Sequence, residues 1–145
     1  MAPVWLIVLV AAAGGAAVAL QAQFVGVIDD RAGTLAAVFV TYGGGGLLAG
    51  GLMLAMRGAG MSALRDVPPY AYLSGALGLV VIAAISWSVA RLGVVRGLLV
   101  VTLAQFLLGA MIDQFGWFGA DVRVLDLPKV VGIVLLLTGG WLVLR

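Results

Sequence analysis

The sequence predicts an all-α membrane protein of five transmembrane helices. Apolar residues make up 64% of the 145-residue chain and charged residues 10%, against about 45–50% and about 25% in ordinary soluble domains. Five runs reach the roughly 17–25 mostly apolar residues that a span needs. None alternates apolar and polar residues as the strands of a membrane barrel do. Lipid accepts an apolar exterior, so this composition suits a bilayer. The length fits one domain, residues 1–145.

The first span covers about 3–24 and ends in the polar "QAQ". Its Ala17-Val18-Ala19 mimics a signal-peptidase site, but no Lys or Arg precedes the apolar run, so a retained helix is expected. The second span covers about 35–56 and is rich in glycine. The third covers about 70–90, after Pro68-Pro69 stops any earlier helix. The fourth covers about 95–115. The fifth covers about 127–144, with Asp126 placed to cap its start and Pro128 in its first turn. The connections "VGVIDDRAGT", "RGAGMSALRDVPP", "RLGV" and "GWFGADVRVLD" are too short to hold a soluble domain, so any chemistry sits among the helices.

Cysteine and histidine are absent and all six acids are Asp. That excludes disulfides, thiolate or imidazole metal sites, and thiol or imidazole catalysis. No nucleophile has a partner base, so neither an enzyme nor a metal or cofactor site is indicated. The net charge of +2 is too small and scattered for nucleic acid. Seven Arg against one Lys, with abundant Ala, Gly and Val, suit a bacterium with a GC-rich genome.

Orientation in the membrane normally follows the Lys/Arg excess, which faces the cytoplasm. Five spans put the termini on opposite faces. One face carries Arg57, Arg65, Arg123 and Lys129; the other carries Arg31, Arg91, Arg96 and Arg145. Four stand against four. Either one or two well-placed residues decide, or the chain inserts both ways round.

Most of the 22 glycines fall inside spans. Gly46 and Gly50, Ser74 and Gly78, and Gly132 and Gly139 stand four or seven residues apart, each pair on one helix face. Small residues so spaced let helices approach closely in lipid, and these six are expected to serve packing.

Polar residues inside apolar runs are the candidate site. Thr102, Gln105, Gly109 and Asp113 recur at three, four and four residues and form one stripe on the fourth helix. Gln105 and Asp113 then lie about 12 Å apart along the axis and face the same neighbour, protein or water rather than lipid. Gln105 is either a pathway residue or half of an interhelical hydrogen bond. Asp113 is either part of that pathway or an interfacial acid. Gln21 ends the first span, Tyr42 lies in the second and Trp87 in the third. The Ser and Thr hydroxyls are expected to bond back to their own helices.

The stretch "VARLGVVRGLLVVTLAQFLLGAMIDQFGWFG" resembles the small YdcZ-type family of bacterial inner-membrane proteins, within the drug/metabolite transporter superfamily. The matching pieces are Arg91-Leu92-Gly93, Gln105, the run from Asp113 to Gly116 and the glycines from Gly132 to Gly140. The "QAQ" and the glycine-rich second span also fit. Phe24-Val25 stands where the family pattern has an Asn, which removes a polar contribution from that turn.

The resemblance implies half of a ten-helix, inverted-repeat transporter. The chain would pair with an antiparallel copy of itself or with a paralogous subunit, and the small-molecule substrate would sit near the midplane at the repeat interface. The expected function is transport of a small cationic or neutral organic solute through a cavity lined by the first four helices. Gln105, Asp113, Gln21, Tyr42 and Trp87 are the substrate-binding candidates. A non-transporting assembly or regulatory module, and one half of an obligate heteromer, are the alternatives.

Overall fold

The computed structural model describes residues 3–58 and 61–145. Five helices span them: α1 (Val4–Ala32), α2 (Thr34–Ala55), α3 (Ser74–Leu92), α4 (Val94–Phe115) and α5 (Leu127–Leu144). All five are long and apolar enough to cross a membrane. Short 3₁₀ turns at Met61–Asp66 and Pro69–Leu73 connect α2 to α3, and another at Trp117–Gly119 follows α4.

Helix α1 continues to Ala32, through residues read from sequence as the first loop. At 1.5 Å per residue its 29 residues extend about 43 Å. A bilayer core is about 30 Å thick, so α1 must tilt or project from it.

Single glycines separate α1 from α2 and α3 from α4. Gly33 has φ 85°, ψ 162° and Gly93 has φ 80°, ψ 166°, a region essentially closed to side-chain-bearing residues. Each glycine closes one helix and opens the next. Gly33 N–H donates to Asp29 O at 2.9 Å, and Gly33 O accepts from Ala37 N–H at 3.2 Å. Gly93 repeats this with Val89 O at 2.9 Å and Gly97 N–H at 3.0 Å.

The repetition extends into the core. The buried positions of α1 are Ala22, Val25, Gly26 and Asp29; those of α3 are Ile82, Ile85, Ser86 and Val89. Every pair is 60 residues apart, as are Arg31 and Arg91 and the turn glycines. The contacts are reciprocal: Gly26 lies against Val89, while Ser86 lies against Asp29. Two helical hairpins therefore meet about an approximate two-fold axis between α1 and α3, the helix pair in most extensive contact.

This core, completed by Ala37 of α2, sits at the Gly33–Gly93 end. Away from it the helices separate. The first half of α1 and the second half of α2 expose nearly every side chain. An added Cβ at Gly14, Gly15, Gly46, Gly50, Gly132 or Gly139 would meet nothing within 4 Å. Of the six small residues expected to pack, Gly78 is the one set against another helix, under the Tyr42 ring of α2. Ser74 is exposed at the start of α3.

Candidate functional site

Helix α5 packs within this chain on α4. The two touch closely at one end, where Gly140 lies against the Leu103 side chain. A Cβ at residue 140 would stand 2.7 Å from Leu103 Cδ1, so a larger residue there would make the Leu103 side chain turn aside. Toward the other end α4 and α5 diverge.

The segment between them is pinned over the gap. Gly116 ends α4 with its N–H bonded to Ile112 O. Arg123 N–H then donates to Asp113 O at 2.8 Å, and Leu125 N–H donates to Gln114 Oε1 at 2.7 Å. The Asp126 carboxylate caps α5 by accepting from Lys129 N–H at 3.1 Å. Tyr70 Oη holds the segment from the α3 side through Phe118 O at 2.9 Å.

The result is a cleft of about 790 Å³ between α4 and α5. Thr102, Gln105, Gly109 and Asp113, the stripe read from sequence, all line it. Phe106, Ile133 and Leu136 supply apolar wall, and Arg123 and Lys129 join Asp113 at the wide end. Among the described residues, neither the Gln105 amide nor the Asp113 carboxylate has a hydrogen-bond partner, and both side chains are exposed. The cleft is large enough for a small organic molecule. Its polar groups are free to bind one. Helix α5 is thus one of its walls.

Gln21, Tyr42 and Trp87 lie elsewhere. Gln21 is exposed on α1 and Tyr42 covers Gly78. Trp87 is exposed on α3, where the Arg91 guanidinium stacks 4.4 Å from its ring centroid. Arg91 also donates to Trp87 O at 2.9 Å, so that pair is already occupied with itself. Gly46 and Gly50 line a second, apolar cleft of about 590 Å³ beside the end of α2.

Sequence reasoning missed one polar cluster. Asp29 was read as a loop acid; it is buried in the last turns of α1. Its Oδ1 accepts from Ser86 Oγ at 3.2 Å and its Oδ2 from Arg91 Nη1 at 3.3 Å. Ser86 Oγ is also 3.1 Å from Val25 O, so its one proton is shared between α1 carbonyl and carboxylate. Thr41 and Ser88 do bond back to their own helices, through Ala37 O and Ala84 O. Ser86 does not, because α1 crosses directly over it. The signal available was the Arg-x-Gly repeated at 31–33 and 91–93, which aligns Gly26 with Ser86 and Asp29 with Val89.

No curated protein and no solved structure matches the chain. A family model described as "Putative inner membrane exporter, YdcZ" matches residues 6–142. That match runs from the start of α1 to near the end of α5, through both glycine turns and the α4–α5 cleft, and the chain belongs to this family of inner-membrane proteins.

Proposed function

We propose that the chain is one subunit of an exporter that moves a small organic solute along the polar stripe of α4, working as an antiparallel dimer. One observation carries the transport reading: Gln105 and Asp113 stand unpaired and open in a cleft inside otherwise apolar helices. An intramembrane polar group without a partner is costly. A structural module would bury and pair both, so their openness favours a solute pathway over an assembly or regulatory role. Gln105 would hydrogen-bond the solute. Asp113 would accept a hydrogen bond from the solute or carry a proton.

Two features support a partner. The four-against-four division of Lys and Arg suits a chain that inserts in both orientations. The open first half of α1 and second half of α2 present small residues that favour close helix contact in lipid. An oppositely oriented copy would cover them and give the inverted arrangement common in transporters. A heteromer of two biased chains fits the even charge count less well.

The test is transport in inverted membrane vesicles with a panel of neutral, cationic and anionic organic dyes. Gln105→Leu removes the amide and keeps the volume. It is expected to lower uptake of the transported dye about tenfold, with protein level and unfolding unchanged. Equal uptake by Gln105→Leu and the parent would refute the role of the stripe.

A further inference from the structure

The geometry points to an anionic amphiphile as the occupant of the α4–α5 cleft: a lipid-like molecule whose acidic head lies at the wide end and whose tail lies along the apolar walls. This rests on the reading of that cleft as the solute site, and it names the solute's class.

The head end is defined by charge. Arg123 and Lys129 both line the cleft at its wide end, against one acid, Asp113. Among the described residues the one salt bridge is Arg91–Asp29, far along the chain. So neither Arg123 nor Lys129 has a carboxylate within 4 Å, although Asp113 shares their cleft. Lys129 Nζ makes one bond, to Val124 O at 3.0 Å, which leaves donors to spare. Among the lining side chains two cations face one anion, while Asp121 and Asp126 of the same segment lie outside the lining and Asp126 is engaged in capping α5. The expectation of a cationic or neutral solute rested on Gln105, Asp113, Tyr42 and Trp87 without these two groups. Basic pockets between transmembrane helices are suited to acidic headgroups.

The tail end is defined by the walls. From Asp113 back to Phe106 on α4, and from Lys129 on to Leu136 on α5, the cleft runs about 10 Å below the charges. Phe106, Ile133 and Leu136 line that depth. Phe106 and Leu136 are exposed within the chain, so the cleft opens sideways. A molecule could enter it directly from the bilayer. Gly140 against Leu103 closes the bottom. A purely water-soluble anion would leave the apolar depth unfilled, and a neutral hydrocarbon would leave both cations unpaired.

The experiment uses the full chain purified in neutral detergent. The probes are phosphatidylglycerol and phosphatidylcholine carrying the same fluorescent tail, with inorganic phosphate as competitor. The anionic probe is expected to bind saturably and about tenfold or more tighter than the zwitterionic one. Arg123→Gln combined with Lys129→Gln should abolish that preference, while Arg123→Lys combined with Lys129→Arg keeps it. Millimolar phosphate should not displace the probe. Equal affinities, a preference surviving in the neutralised variant, or displacement by phosphate would each overturn the inference. So would a cleft found filled by a second copy, seen as Phe106→Cys cross-links between chains with no saturable binding. If dye uptake depends on Gln105 but the headgroup preference is absent, the amphiphile inference fails and the transport reading stands. If the preference is present but Gln105→Leu leaves uptake unchanged, the transport reading is the one that fails.

Discussion

Two identical substitutions, Gly93→Ala and Gly14→Ala, should change stability in opposite directions. At both positions an added Cβ meets nothing within 4 Å, so no clash contributes. What differs is the backbone. Gly93 sits at φ 80°, ψ 166°, where a side chain costs about 1–3 kcal/mol. Alanine returns about 0.4–1 kcal/mol by stiffening the unfolded chain. The net for Gly93→Ala is a loss of about 1–2 kcal/mol. Gly14 lies within α1 in ordinary helical geometry, where alanine is favoured by up to about 1 kcal/mol. The two variants should therefore differ by about 1–3 kcal/mol. Gly33→Ala should match Gly93→Ala to within about 0.5 kcal/mol, because the two turns share one geometry. The assay is equilibrium unfolding of the monomer in mild detergent titrated with a denaturing detergent. If Gly93→Ala is as stable as the parent, or if it shifts in the same direction as Gly14→Ala, the account of the two hairpin turns is wrong.

The remaining predictions concern the α1–α3 contact and the orientation of the chain. Ser86→Ala removes the proton shared by Val25 O and Asp29 Oδ1 and should cost about 1 kcal/mol in the same unfolding assay. Arg91→Leu leaves the buried Asp29 carboxylate with only the neutral hydroxyls of Ser86 and Thr34. It should cost about 2 kcal/mol, less than a fully buried pair because half of the Arg91 side chain already meets the surroundings. Met61→Cys, at an exposed position between α2 and α3 of this cysteine-free chain, reports orientation. About half of the protein should react with an impermeant thiol reagent in intact cells if insertion is dual, and nearly all or none if it is single.

The five spans were readable because each is a continuous apolar run bounded by charge, proline or glycine. The α4 stripe was readable because Thr102, Gln105, Gly109 and Asp113 obey helical spacing, and that spacing fixes their shared face whatever α4 packs against. Asp29-Asp30-Arg31 was not readable as helix. Three successive charges look like a loop, and the groups that admit Asp29 to the interior, Ser86 and Arg91, lie about 60 residues away. Arg123 and Lys129 could be counted but not placed. Their position over the cleft depends on the pinning of the connecting segment by Asp113 O, Gln114 and Asp126. The contact points of the glycine faces within the chain were likewise not readable. Gly132 and Gly139 share a face of α5, yet α4 approaches at Gly140, because one helix surface does not specify where its neighbour crosses.

Solvent access along α4 tests the central claim most directly. Single cysteines at Gln105, Gly109 and Asp113 face the cleft, whereas cysteines at Leu107 and Met111 lie on the opposite side of the same helix. Leu107 and Met111 are themselves exposed within the chain, so exposure alone does not separate the two sets. In native membranes a small charged thiol reagent needs water to react. The account predicts rapid labelling at 105, 109 and 113 and little at 107 and 111. Labelling at 107 and 111 with protection at 105 and 109 would place the water on the other face of α4 and contradict the solute pathway.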